Sequence, residues 1–449
     1  MLFRSGYRIG EDSELRLIAT AATIDQGVPG ALTLAQARAN PRQASAAALA
    51  GRWARDQDVR RVTLQTRLRL SESVVFEGGV YATGTDLRNP IPIVIEQDIH
   101  TEGAFGRFDL SGEIGGHKAD LFVGASFRTG AVDQQTYANL SGRNGAKLGD
   151  ALQQATGLDL FAEGRFFVVP ELALVAGASW GHASRDYTNR VLGRGDQTEF
   201  QWLAPRFGLL WERGSAQVYA NVTRSVEPPT FGALVQSGYF GFDFVPVEPQ
   251  RAWTVEIGTR GRSGALSWDI AAYRASLRGE MLNFTVSPDI PAAVFNADRT
   301  RHQGVEASVD WRIAPGLRLR QSWAWSDFTF TRDATYGDNR LPVVPEHQLR
   351  TALRVERQGA WMEPMLDWRP KGVWVDYRNT LKAPGYALLH LSAGIDLPGG
   401  VTLFADARNL TDQRHVPEFG AVANARAMDQ AVFYPGEGRS LFGGVRVRF

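Results

Sequence analysis

The chain has 449 residues, a formal net charge of +1, 22% charged and 44% hydrophobic residues, a balance that argues against disorder and against a nucleic-acid-binding tail. It has no cysteine, which excludes a disulfide framework, a thiolate zinc site and a cysteine nucleophile. No apolar run approaches the roughly 18 residues of a spanning helix; the best, residues 166–170 and 172–177, are short and broken, so a membrane is crossed by strands if it is crossed at all. Residues 1–10 lack the charged region, apolar core and small-residue cleavage site of a secretory signal.

Period two runs from end to end. After a first strand at residues 2–9, the segment 60–70 places Val62, Leu64, Leu68 and Leu70 on one face and Arg61, Thr63, Gln65, Arg67 and Arg69 on the other. The same split recurs in Ala216, Val218, Ala220 and Val222 against Gln217, Tyr219, Asn221 and Thr223, in Leu266, Trp268 and Ile270 against Ser267 and Asp269, and in Val401, Leu403, Ala405 and Ala407 against Thr402, Asp406 and Arg408. Soluble antiparallel sheets alternate as well, so a sandwich, a propeller and a membrane barrel all remain open on this signal alone.

Connection length separates them. Turn chemistry marks short connections at 10–13, 71–73, 112–118, 170–171, 214–215, 263–264, 314–316, 358–359 and 398–400. Between them lie longer irregular stretches, including 26–58, 130–150, 226–250, 278–299 and 410–438. Alternation of short turn and long loop is the construction of outer-membrane barrels, and no blade-like repeat supports a propeller. The fold expected is therefore all-β, an antiparallel transmembrane β-barrel with about 19 strands present, the last at 440–449. A final strand that ends on the turn side runs downward, and counting back makes the first strand run downward too. Closed single-chain bacterial barrels have an even number of strands, so an odd number of strands, at the N-terminal side, is expected to be missing. Trp180, Trp202, Trp211, Trp253, Trp311, Trp323 and Trp325 lie near strand ends, where they suit interfacial girdles. The last strand sets Leu441, Val445, Val447 and Phe449 outward against Arg446 and Arg448, and the terminal Phe449 resembles the recognition signal of barrel-assembly machinery.

Several stretches resemble TonB-dependent outer-membrane receptors of the siderophore and cofactor type. Residues 401–412, ending in Asn409-Leu410-Thr411-Asp412, are similar to the family's penultimate strand, and 434–439 to its lead into the last. Further upstream, Arg224-Ser225-Val226-Glu227-Pro228-Pro229-Thr230-Phe231 and the segments 248–261, 301–306 and 341–349 resemble mid-barrel patterns in matching order. The resemblance implies a 22-stranded barrel, normally preceded by a signal peptide, a TonB box and a plug. Residues 1–449 would be the barrel domain alone, starting near the fourth strand. It also implies active uptake of a scarce nutrient, foremost a ferric siderophore or ferric chelate, across the outer membrane of a Gram-negative bacterium. Implied partners are outer-membrane lipid, the barrel-assembly machinery, the TonB complex acting through plug and box, and the small ligand. Nucleic acid is not among them. A plug-less passive pore, a non-functional truncated receptor and, behind both, a soluble all-β binding module are the alternatives.

No catalytic constellation stands out, so neither an enzyme nor a cofactor or resident metal is expected. The seven histidines, His100, His117, His182, His302, His347, His390 and His415, are scattered without a spacing that sets two on one face beside a carboxylate. Asp98, Asp109, Glu163, Asp269, Glu306 and Asp310 have inward parity or nearly so, where Arg107, Arg165 and Arg312 offer partners for a solvated lumen wall. Recognition falls to loops. Tyr239, Phe240, Phe242 and Phe244 cluster in the 226–250 stretch and suit stacking on a planar or catecholate ligand, while Arg185, Arg194 and Arg299 suit an anionic chelate. If the alternating faces assemble into one apolar band, the purified chain will require detergent or lipid; a monodisperse monomer in plain buffer, by analytical ultracentrifugation, would contradict the membrane reading.

Overall fold

The computed structural model describes residues 1–10, 12–238, 241–285 and 293–448. Among these, nineteen strands form one continuous antiparallel sheet. In chain order they are β1 (Leu2–Arg8), β2 (Glu14–Gly27), β3 (Ala54–Arg69), β4 (Val74–Pro90), β5 (Ile93–Ile114), β6 (His117–Leu140) and β7 (Arg143–Val169). They continue as β8 (Leu172–Asn189), β9 (Arg194–Arg213), β10 (Ala216–Glu227), β11 (Gln250–Ser263), β12 (Leu266–Phe284) and β13 (Ala293–Ala314). The last six are β14 (Leu317–Phe330), β15 (His347–Arg357), β16 (Ala360–Arg369), β17 (Tyr386–Leu397), β18 (Val401–Arg408) and β19 (Ser440–Val447). Each strand pairs with its neighbours in sequence, so the sheet is a meander of hairpins. The turn-side connections are short because their residues suit them: between β5 and β6, Gly115 and Gly116 both take positive φ, 62° and 80°, which two L-residues with a Cβ would adopt only under strain.

Two of the expected long loops are largely strand. The segment 130–150 is a hairpin in which β6 and β7 continue to Leu140 and Arg143, with Ser141-Gly142 at the tip, and much of 278–299 belongs to β12 and β13. These strands run on past the apolar band and carry polar side chains on both faces, some of them buried, such as Gln134, Thr136 and Glu280, which removes the alternation that marks a strand in sequence.

The band itself is plain in the outward face. Leu64 (41% exposed), Val80, Leu121, Val123, Phe127, Leu160, Leu203, Phe207, Ile257 and Val445 are all exposed despite their size. Trp211 and Trp311 stand outward near the turn-side ends, and Trp253 and Trp368 near the loop-side ends, as girdle residues do. Trp202 departs from that expectation: it shares the inner register of β9 with Arg206 and lies over Gly181, where a Cβ would fall 2.0 Å from its ring. On the loop side the band ends at a row of four aspartates paired directly across strands, Asp58 with Asp86, Asp86 with Asp98, and Asp98 with Asp133. Like charges in cross-strand register repel, and only water or counter-charges relieve them. His100 lies 3.0 Å from Asp98, and Arg190 donates to Asp133 at 3.0 Å. Asp98 therefore faces outward, not into the lumen.

β1 and β19 run in the same direction. Among the described residues β1 pairs only with β2, and β19 only with β18, which leaves two free edges. All seven residues of β1 are exposed. Because Leu64 faces the apolar band and Gln65 the inner wall, Leu64→Arg is expected to lower stability in detergent by about 2–4 kcal/mol and Gln65→Arg by less than about 0.5 kcal/mol. Equal losses in urea titrations would show the register to be inverted.

Candidate ligand site

The inner wall is a lattice of ion pairs set by the second register of each strand. Arg67 pairs with Glu77, Arg107 lies 3.2 Å from Glu77 and 2.9 Å from Asp109, and Arg165 lies 3.6 Å from Asp120. Arg206 lies 3.2 Å from Glu163, Arg318 pairs with Asp310, Arg320 with Glu363, and Arg350 lies 3.4 Å from Asp367. Glu163 and Asp310 thus have partners, but these are Arg206 and Arg318; Arg312 makes no ion pair among the described residues. Such half-exposed pairs add little stability one by one. Together they make a polar lumen.

Above the wall the loops form a cap with hydrophobic cores of their own. One core joins three connections: Leu32 and Ala37 after β2, Val373, Val375 and Ala383 after β16, and Val416, Phe419, Val422, Val432 and Phe433 after β18. The connection after β2 carries two short helices, α1 (Leu34–Ala39) and α2 (Ala46–Gly51). The connection after β18 grips α1 at both ends. Asp429 accepts hydrogen bonds from the backbone N–H groups of Leu34 (2.7 Å) and Ala35 (2.9 Å), and Arg414 donates to the carbonyls of Arg38 and Ala39, both at 2.8 Å. Leu32 and Phe433 exchange backbone hydrogen bonds of 2.9 Å. These contacts satisfy the groups that a one-turn helix leaves unpaired. They also tie the loop beside the first edge of the sheet to the loop beside the last.

A second core stacks Phe284, Phe295, Phe330, Tyr336 and Tyr377 on buried Ala297 and Leu341. The Tyr377 hydroxyl donates to the Asn283 carbonyl at 2.7 Å, and burial pushes this phenol above its ordinary range. Beneath lies His302, stacked on Phe328 at 4.0 Å with Nε2 3.1 Å from Glu280, the hydrogen-bonding role its position suggests. His415 is buried in the cap near Tyr386, and that burial lowers its proton affinity.

Where cap meets wall, between β5 and β9, there is a cavity of about 370 Å³. It is lined by Arg128, Gly157, Asp159, Arg185 and Trp202 from the wall and by Pro228, Thr230 and Phe231 from the loop after β10. Arg185 is held to that loop by a hydrogen bond from Nε to the Pro229 carbonyl, 3.2 Å. Of the candidate residues that the structure describes, Arg185 is the one at the cavity. Arg194 opens β9 beside the tip of the β8–β9 hairpin. Arg299 shares the outer register with Arg301 and Val305, 3.9 Å from Asp298, and does not join Arg185. Phe244 stacks on buried Tyr187 (6.2 Å between centroids), loop on wall; Phe242 belongs to a short strand, Gly241–Phe244, paired with Val235–Gly238. Tyr239, Phe240 and Phe449 lie outside the described residues. Arg128 escaped sequence reasoning, although its even position on β6, in step with Asp120 and Phe122, marks it as inward. Asp429 and Arg414 had no local signal: their partners lie nearly the whole chain away.

The sequence pattern of the family described as TonB dependent receptor-like, beta-barrel, matches residues 6–410. Among solved structures, the chain is similar to the ferric citrate transporter FecA in its unliganded form, with a TM-score of 0.83 and 18% identity over 99% of this chain and 69% of that one. It is also similar to the ferric yersiniabactin uptake receptor FyuA from Yersinia pestis (TM-score 0.79, 16% identity, 98% and 68%) and to the copper transporter OprC (0.74, 15%, 98% and 70%). Likeness at such identities shows the fold.

The grip on α1 is a local device. Asp429→Ala or Arg414→Ala is expected to destabilise α1 by on the order of 1–2 kcal/mol, seen as faster amide hydrogen exchange at 34–39, while melting of the wall stays unchanged. Unaltered exchange in the double variant would show that the buried core alone holds the helix.

Proposed function

Since the chain belongs to the TonB-dependent receptor family, as its β-barrel, we propose that it serves the uptake of a ferric siderophore or other ferric chelate across the outer membrane of a Gram-negative bacterium. The observation that carries this reading is the knitted loop cap over a charged lumen. A sieving pore needs an open mouth, whereas a high-affinity receptor needs a preformed surface, and two buried cores fix the loops here. The uptake receptors for ferric citrate and ferric yersiniabactin that share the fold support a ferric cargo. Energy would come from the TonB complex, and the outward apolar band would seat the wall in lipid after insertion by the barrel-assembly machinery.

Closure of the cylinder is part of the same proposal. β1 and β19 are parallel, and an odd number of strands inserted between them makes every neighbour antiparallel, leaving no edge whose unpaired backbone groups face lipid. Binding, not bond making, is the work of such a site, and catalysis has no place in it.

Uptake of radioactive iron as a panel of ferric chelates, by cells with and without the gene, tests the reading. Gene-dependent accumulation of one chelate, abolished when TonB is deleted, is expected. Accumulation that persists without TonB and scales with external concentration would favour the passive pore. No gene-dependent accumulation of any ferric chelate would refute the ferric cargo.

A further inference from the structure

Most arginines of the lumen wall pair with carboxylates; among the described residues Arg61, Arg312, Arg128 and Arg185 make no ion pair, and the last two share one cavity. Arg128 on β6 and Arg185 on β8 both face the 370 Å³ cavity beneath the loop after β10, close enough to interact as like charges. Among the described residues, neither has a carboxylate within ion-pair distance. Arg185 is half-buried and already positioned: Nε donates to the Pro229 carbonyl, and Nη1 donates to the Ser184 carbonyl at 2.7 Å. Its Nη2 makes no hydrogen bond among the described residues. Arg128 makes none at all.

The strand between them supplies a floor. Gly157 sits directly opposite Arg128 on one side and Ala183 on the other, and a Cβ built on it would meet nothing within 4 Å. Ala155 lies opposite Arg185. Two guanidinium groups therefore rise over a flat patch of small residues, with Trp202 lying flat across Gly181 at its edge and Phe231 above. One carboxylate, Asp159, also lines the cavity, so two positive charges face one negative.

We infer that this cavity is a subsite for the carboxylate groups of a small polycarboxylate or of a carboxylate-bearing arm of a chelate. Two convergent cations that share one nearby carboxylate and form no ion pair raise the energy of the empty site, and an anion relieves it. The planar fork of guanidinium donors matches the two oxygens of a carboxylate. The volume stands at the small end of the range for ligand pockets, too small for the whole of a bulky peptide siderophore. The subsite deepens the uptake reading and rests on it only for the metal: the anion chemistry stands by itself.

The test is equilibrium binding to the full-length receptor in detergent, followed by tryptophan fluorescence and calorimetry, with three probes: metal-free citrate, ferric citrate and a neutral ferric trihydroxamate. Arg128→Gln and Arg185→Gln are expected to weaken both citrate probes roughly tenfold or more. Because Arg185→Gln also loosens the loop at Pro229, Gly157→Glu is the second variant: it fits the open space and places a carboxylate between the arginines, so citrate binding should vanish while folding, read as heat-modifiable electrophoretic mobility, is unchanged. Arg60→Gln, on the outer face, should leave all three affinities as they were. Unchanged citrate affinity in the three cavity variants, or no citrate binding by the native protein, overturns the subsite and leaves iron uptake standing. Binding of metal-free citrate that the variants abolish, with no gene-dependent uptake of any ferric complex, supports the subsite and rejects the ferric cargo.

Discussion

A backbone in a hydrocarbon layer has no water to bond with, so every N–H and C=O group must find a partner in the chain itself. A meander of antiparallel strands meets this demand residue by residue, and the rest of the molecule is arranged around it. Pairing puts alternate side chains on opposite faces, so one alternation of sequence makes both an apolar exterior and an ion-paired interior. By the same constraint the outer edges of β1 and β19, unpaired among the described residues, are where the backbone of the sheet stands without partners.

Hydrophobic burial, which in a soluble sheet protein would lie beneath the strands, is moved here to the loops. One large core is built from connections, and the other packs loop residues Tyr336, Leu341 and Tyr377 on the loop-side strand ends at Phe284, Phe295, Ala297 and Phe330. They resemble small soluble domains: apolar side chains packed together, with hydrogen bonds spent on capping. Asp376, fully buried, illustrates the economy of such a loop, since its carboxylate accepts from Thr380 and Leu381 and holds the connection after β16 in one conformation. Rigid loops present a fixed surface, and a fixed surface binds without first losing conformational freedom.

The electrostatics follow a similar division. On the inner wall, carboxylates and guanidinium groups neutralise each other in water, which makes the wall polar at little gain in stability. On the outer face beyond the band, the row Asp58, Asp86, Asp98 and Asp133 is relieved by His100 beside Asp98, by Arg190 on Asp133 and by the high dielectric of water outside the band. Arg128 and Arg185 stand out against that background because two guanidinium groups without ion pairs among the described residues line one cavity.

By itself the sequence determined the strand count, the alternating faces, the order of short turns and long connections, and the common direction of the first and last strands. These depend on local periodicity and on turn residues such as Gly115 and Gly116, whose signals act over a few positions. It was poorer where strands run past the apolar band, at 130–150, because polar side chains on both faces erase the alternation. It placed Trp202 in a girdle and Asp98 toward the lumen, since composition near a strand end does not fix which way a side chain points. Tertiary structure alone decided what meets what across the barrel: Asp429 with the start of α1, Arg299 apart from Arg185, Arg128 beside Arg185 over Gly157. The physical reason is that such contacts are set by the curvature of the sheet and the packing of its loops, which join residues from distant strands, and no local pattern encodes a partner that far away.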